Sequence, residues 1–315
     1  MSERRLTEGQ WNLLYGANGV HPGVDFLFGT RKTGFDLVEP YEITYGDAEV
    51  GDVPMPREDG VRLGQDHRST AVIDFSIGVD TVDAAPTPLG RHGANLGAVS
   101  VLAQAWRGDA VRRRFATPAV LRTVQGGRAR RFYGRPRKFA AASSRLTRQG
   151  HTTVEASFLA AEDVAYDDRE QATRVDMEPA PHRGLRGPLH SPLSMTGPGA
   201  TRVPGDIVVA GDVPTWPVIT FYGPISQPVC DVLGSWKVSL NLTLGAGQSV
   251  RIDPRPWART VLRNGASVAD ALYRSSPLLA DMRLPLGRRD LILRGKDDTG
   301  NAYMTVAWRD AYSYL

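Results

Sequence analysis

The chain has 315 residues, 38 of them Lys or Arg and 34 Asp or Glu, for a formal net charge of +4 at pH 7. Hydrophobic residues make up 41% of it, which excludes general disorder, and no apolar run approaches the roughly 18 residues of a membrane span. Cys230 is the only cysteine, which excludes internal disulfides.

The opening "MSERRLTEGQWNLL" lacks the apolar core and small-residue site of a secretory signal, so synthesis in a reducing cytoplasm is expected. Charge is segregated along the chain. Asp36 to Asp83 carries a net of −9, Arg107 to Arg148 a net of +12, and Glu155 to Glu178 a net of −6. Blocks of this kind read as compensating faces, within one subunit or between subunits.

Residues 1–55 carry no motif that assigns them a role. "STAVIDFSIGVD" (69–80) alternates, with Ala71, Ile73, Phe75, Ile77 and Val79 on one face of a strand. "NLGAVSVLAQAWRG" (95–108) spaces Leu96, Val99, Leu102, Ala103 and Trp106 for one amphipathic helix, capped by Asn95 and ended by Gly108. "AVLRTVQGGRARRFYG" reads as strand, Gly126-Gly127 turn, strand. "TTVEASFLA" alternates again through Val154, Ala156, Phe158 and Ala160. Periodicity fades after Asp168. Residues 179–205 hold six prolines and five glycines, as an extended connector would.

Strands return beyond it: "DIVVAG", "PVITFYG", and "KVSLNLTLG" with Val238, Leu240, Leu242 and Leu244 alternating. "VRIDPRPWARTVLRNG" (250–265) places arginine at every fourth position, which would stripe a helix. Pro254 and Pro256 exclude that helix. The stretch reads instead as a strand ending near Asp253, a stiff corner, a strand over Arg259–Arg263, and an Asn264-Gly265 turn. A short helix starts at Ser267, and "DLILRG" and "AYMTVAW" are the last strands. Short strands with regular turn signals make the fold class mainly β, a sandwich with a minor helical part.

Little in the sequence points to catalysis. The six histidines are scattered; His182 and His190 lie in the connector, where ligands lack a rigid shell. No nucleophile elbow and no phosphate-binding glycine loop occurs. "YDD" (166–168) and "KDD" (296–298) read as solvated turns rather than catalytic pairs, and Cys230 as a buried spectator thiol. No catalytic, cofactor-binding or metal-binding residue is assigned. The basic block interleaves aromatics, as single-strand binders do, but the acidic blocks beside it argue against nucleic acid. Trp216, Trp236, Trp257 and Trp308 fall in the C-terminal half, and an exposed tryptophan there could stack on a sugar ring.

Several stretches together resemble a known family. "PREDGVRLGQD" (56–66), "FYGRPRK" (132–138) and "ASFLAAEDVAY" (156–166) are similar to minor tail proteins of actinobacterial siphophages. So are "GDVPTWPVITFYGPISQP" (211–228), "LGAGQSVRIDPRPWARTVLRNGAS" (244–267) and "RLPLGRRDLILRGKDDTGNAYMTVAWRDAY" (283–312). In order, they resemble the distal tail protein class, although Leu286 stands where a second proline is expected. The resemblance implies a structural virion protein at the distal end of the tail. It implies a ring, usually hexameric, joining the tail tube to the tip or baseplate hub. Residues 1–168 would form the ring, 169–203 the connector and 204–315 a galectin-like sandwich. Implied partners are further copies of the chain, the tail tube protein and the tip or hub protein, with the tape measure or receptor-binding protein as further neighbours. No cofactor is implied.

A head-to-tail ring needs two unlike, complementary patches on each subunit. The expected pair is Arg112, Arg113, Arg114, Arg130 and Arg131 against Glu49, Asp52, Glu58 and Asp59. The alternative function is a carbohydrate-binding module contacting host cell-wall glycans, with Trp257 as its contact residue; Trp257 itself is expected to be structural, covering apolar surface at its corner, rather than a sugar platform.

Overall fold

The structure, a computed structural model, describes residues 4–57, 59–177, 205–297 and 299–315. It divides into two units, Met1–Arg169 with Ala311–Leu315, and Glu170–Asp310. Strand is its dominant secondary structure, as expected. Two boundaries differ from the sequence reading: the last five residues belong to the first unit, and residues 170–177 belong to the second rather than to a connector. The remainder of the expected connector, 178–203, lies outside the described residues.

The first unit contains β1 (Trp11–Tyr15), β2 (Val24–Phe28), β3 (Phe35–Leu37), β4 (Glu42–Thr44), β5 (Ala48–Glu49), β6 (Val53–Pro54), β7 (Val61–Arg62), β8 (His67–Arg68) and β9 (Val72–Asp80). After helix α1 (Pro88–Arg107) follow β10 (Ala119–Gln125), β11 (Arg128–Ala142), β12 (His151–Ala160) and β13 (Ala165–Asp167). Its main sheet runs β2-β1-β10-β11-β12-β9-β3, with β4 also on β9. Ala71, Ile73, Phe75, Ile77 and Val79 are buried, as are Val154, Ala156, Phe158 and Ala160. Period-two patterning places one face of each strand inside. Gly126 and Gly127 both take positive φ, the geometry a two-residue hairpin turn needs. The described part of residues 1–55, silent as sequence, supplies β1 to β6, of which β1 to β4 join this sheet. Trp11 and Phe28 join Phe75 and Trp106 in one aromatic core, with Trp11 and Phe75 edge to face at 4.9 Å.

Helix α1 is longer than the sequence reading, which started it at Asn95. Pro88 sits in its first turn and the Thr87 hydroxyl accepts from the Gly90 N–H, a capping arrangement that needs no other signal. Gly90, Gly93 and Gly97 dilute its apolar periodicity. Asn95 is no cap; it is buried at mid-helix. Its Nδ2 donates to the carbonyls of Val79 and Gly150, each at 3.0 Å, and its Oδ1 accepts from Thr152. Trp106 Nε1 donates to Ser157 O at 3.1 Å. Of the face expected inside, Leu102 and Trp106 are buried, whereas Leu96 is exposed.

The second unit holds β14 (Gln171–Asp176), β15 (Gly205–Val209), β16 (Val218–Tyr222), β17 (Ile225–Val232), β18 (Trp236–Ser239), β19 (Thr243–Leu244), β20 (Ser249–Asp253), β21 (Thr260–Arg263), β22 (Ala266–Ser267), β23 (Gly287–Lys296) and β24 (Tyr303–Trp308). One sheet runs β14-β24-β16-β20-β21-β22, the other β15-β23-β17-β18 with β19 on β17. Both feed one buried cluster, which includes Ile207, Cys230, Val238, Leu293, Phe221, Ile252 and Met304. Two sheets over one core make a sandwich. The expected continuous strand over "KVSLNLTLG" breaks after Ser239; Val238, Leu240 and Leu244 are still buried. The helix expected from Ser267 is one 3₁₀ turn, Ala269–Ala271.

Candidate functional site

The hairpin β10–β11 carries Arg122, Arg130 and Arg131 inward to the acidic run after β12. Arg122 Nε and Nη2 grip both oxygens of Asp168, at 2.9 and 2.6 Å, and Arg131 adds a 3.0 Å bond to Oδ1. Arg130 reaches Asp167 at 3.2 Å and lies over the Tyr312 ring, 3.7 Å from its centroid. Arg130 and Arg131 are only 7% and 3% exposed. This corrects their assignment to a subunit interface: they are committed inside their own unit. It also corrects the solvated turn at 166–168. Burial alone would raise the Asp168 pKa, but Arg122 and Arg131 outweigh it and hold the carboxyl below its usual range.

Arg112, Arg113 and Arg114 are exposed, Arg112 being tied to Asp109 at 2.6 Å. They lead into Phe115, which is 98% exposed. A free apolar side chain in a floppy loop would be ordinary; this loop is braced. Buried Val111 and Ala119 anchor its two ends. Between them the Arg135 guanidinium donates to Thr117 O at 3.2 and 3.1 Å, to Arg112 O at 3.3 Å, and to Arg114 O. Ala116 is held at φ 54, a left-handed conformation that costs an alanine about 1 kcal/mol or more. The brace keeps Phe115 outside against that strain.

The acidic residues lie on an arm between β4 and β9. Two short ladders build it, β5 with β8 and β6 with β7. Asp52 Oδ1 accepts from Gly64 N at 2.9 Å and Asp66 Oδ1 from Gly51 N at 3.3 Å, so carboxylates replace ladder bonds where the strands separate. Glu49 and Asp59 are exposed and Asp52 is half-buried; Glu58 lies outside the described residues. The arm also carries apolar residues that its sequence did not flag: Val50, Val53, Met55, Val61 and Leu63 are all exposed, Leu63 at 80%. They do not share one face, since Val53 lies opposite Arg62 and Val61 opposite Pro54 in the outer ladder. Two-residue strands leave too short an alternation for a strand signal.

In the second unit the corner after β20 is organised by buried Asp253. Arg255 pairs with it through two bonds of 2.8 and 2.6 Å, and Arg251 adds a third at 3.2 Å. Two of the four evenly spaced arginines therefore serve one carboxylate, and a third, Arg263, donates to Gln248 at 2.6 Å. Asn264 and Gly265 take positive φ, as their turn requires. Trp257 is half-buried, with the Arg255 guanidinium 5.5 Å from its ring centroid. Trp216 and Trp308 are buried, and Trp236 Nε1 donates to Arg283 O at 2.7 Å. On the outer side of the same sheet Tyr222 and Tyr303 stack at 4.5 Å, with Arg174 over the Tyr303 ring.

Asp297 is no solvated turn. It is buried, and its carboxylate accepts from Thr299 N, Thr299 Oγ1 and Ala302 N. Burial opposes its ionisation, but these bonds prevail and its pKa is lowered. Cys230 is buried, and desolvation, with Asp231 beside it, pushes its thiol up to about 12. His182 and His190 lie outside the described residues. Among the described residues no group of three or more His, Cys, Asp or Glu is placed to hold a metal ion. None of the described helices is long and apolar enough to cross a membrane.

No protein-family model matches the chain, and no curated protein matches it. Solved structures do. The Dit protein of phage SPP1, described as a paradigm of the hub adsorption apparatus in phages infecting Gram-positive hosts, matches with a TM-score of 0.52. That match has 14% identity and covers 96% of this chain and 98% of the other. A chain of the phage P2 baseplate in its activated, calcium-bound conformation matches at a TM-score of 0.49 and 8% identity, covering 95% and 97%. The chain shares the fold of the SPP1 protein over nearly its whole length.

Proposed function

We propose that this chain is a structural protein of a phage tail tip, of the distal tail class, forming a ring that joins the tail tube to the tip or baseplate hub. The observation that carries the reading is the match to a tail-hub protein across both units, 96% of the chain. A partial match could reflect one widespread sandwich; a match through both units in one chain is more restrictive. In this reading the first unit makes the ring and the second is the galectin-like domain that meets tip proteins. Its partners are further copies, the tube protein and the hub protein, and its place is the distal end of the virion tail. The buried ionic clusters at Asp168 and Asp253 serve rigidity, as an adaptor requires.

Negative-stain microscopy of the purified protein, with sedimentation velocity in parallel, tests the reading. Closed rings of a fixed copy number, six in the simplest case, are expected. A protein that stays monomeric at every concentration tried overturns it.

A further inference from the structure

Phe115 and the apolar residues of the arm are both uncovered in one unit, and the charges around them are opposite in excess. Phe115 stands among Arg112, Arg113 and Arg114. The arm, residues 47–69, carries six Asp or Glu against three Arg, a net of −3, and sets Val50, Val53, Val61 and Leu63 among them, Val53 and Val61 on opposite faces of its outer ladder. We infer that the Phe115 knob of one copy docks on the 47–69 arm of the next, as the anchor of a head-to-tail contact. This rests on the ring reading above and names the contact that closes it.

Position in the sheet supports the pairing. The arm leaves the sheet between Thr44 and Val72, which face each other across β4 and β9. Val72 faces Leu159, Leu159 faces Arg135, and the neighbouring Gly134 faces Ala119, where the knob loop rejoins the sheet. The two roots therefore lie at the same end of the sheet, on either side of the β11–β12 pair. Three strand spacings separate them, about 14 Å, while the arm extended from Ala48 to Arg57 reaches about 30 Å. Yet Phe115 and the arm's apolar residues are all uncovered in the single chain. Neither satisfies the other in cis, and a lateral neighbour brings one copy's arm to the next copy's knob.

The energetic logic is that of a hot spot. An aromatic knob that needs no reordering on binding loses little entropy, and the Arg135 brace supplies that preorganisation. The arginine-to-carboxylate pairs around it set register and encounter rate. Unlike surfaces meeting head to tail form a heterologous contact, which closes into a ring when the rotation permits.

The test uses two full-length variants, Phe115→Ala and the double substitution Val53→Asp with Val61→Asp, all at exposed positions. Each alone should sediment as a monomer where wild type forms rings, a loss of at least about 30-fold in subunit affinity. Mixed in equal amounts they should form dimers and stop there. The Phe115→Ala chain keeps a sound arm and the arm variant keeps a sound knob, so one intact contact joins each pair. Rings from Phe115→Ala, or a mixture that stays monomeric while wild type forms rings, overturn this contact and leave the ring reading standing. Wild type that never assembles overturns both. Loss of single-stranded DNA binding in Phe115→Ala without loss of assembly overturns the second copy as the occupant of the knob.

Discussion

Asp168 shows how one carboxylate can decide the fate of a basic block. It accepts from two nearly buried guanidiniums, so removing its charge weakens the ion pairing of both at once. Asp168→Asn is expected to cost about 3 kcal/mol at neutral pH, the usual penalty for breaking a buried pair from one side. Because the folded pKa lies below the unfolded value, this stabilisation is complete above the unfolded carboxyl pKa near ~3.9 and fades as pH falls further. The melting-temperature gap between wild type and variant should be widest near neutrality and narrow in acid. A gap that does not change with pH removes Asp168 from the account. Trp257 belongs to the same scale: half-buried at a rigid corner, its truncation to Ala should cost about 1–2 kcal/mol, less than a core tryptophan. An unchanged melting temperature with loss of binding to host cell wall would make it a glycan contact instead. Cys230, buried and raised to about 12, should resist thiol reagents in the native protein and react fully in denaturant. Native labelling at moderate pH would contradict its burial.

Helix α1 is held to its sheet by polar bonds as much as by apolar area. Asn95 satisfies two carbonyls and one hydroxyl from a buried position. Asn95→Leu adds hydrophobicity yet removes three buried hydrogen bonds, although Gly150 O keeps the Thr81 N–H and Thr152 Oγ1 keeps Thr147; denaturant melts should report a loss of about 2 kcal/mol. A variant as stable as wild type would mean that the helix rests on Leu102, Ala105 and Trp106 alone. The arm is the opposite kind of element. Its ladders are two residues long and its apolar residues are exposed, so little within the chain depends on it. Substitutions along it are expected to leave the melting temperature nearly unchanged while altering assembly, which is why it supplies the variant paired with Phe115→Ala.

At the scale of the molecule, sequence order and unit membership do not coincide. Strand β14 precedes residues 178–204 but pairs along its length with β24, while Ala311 and Tyr312, at the far end of the chain, pair with β13. Each side of that stretch therefore contributes a strand to the unit built mainly from the other side. Trypsin acting at Arg183, Arg186 or Arg202 should give two bands on a denaturing gel that still elute together from a native sizing column. Two pieces that separate without denaturant would show that these strand exchanges do not hold.

Where burial imposes a period, the sequence alone determines the outcome. Ala71 to Val79 and Val154 to Ala160 alternate because one side of each strand must leave water, and Gly126-Gly127 and Asn264-Gly265 turn because few residues tolerate positive φ. Pro254 and Pro256 exclude a helix by covalent geometry. Tertiary structure decides what depends on partners distant in sequence. Arg113 and Arg130 belong to one basic block and read alike, yet one is exposed and the other lies against Asp167 and Tyr312. Asn95 has the composition of a cap and is instead a buried bridge to Val79 and Gly150. The arm carries no periodic signal because its strands are two residues long. Phe115 resembles any core phenylalanine until the brace from Arg135, twenty residues away, holds it outside. Local stereochemistry and the hydrophobic period are properties of neighbouring residues; charge pairing, burial of polar groups and exposure of apolar ones are properties of the fold.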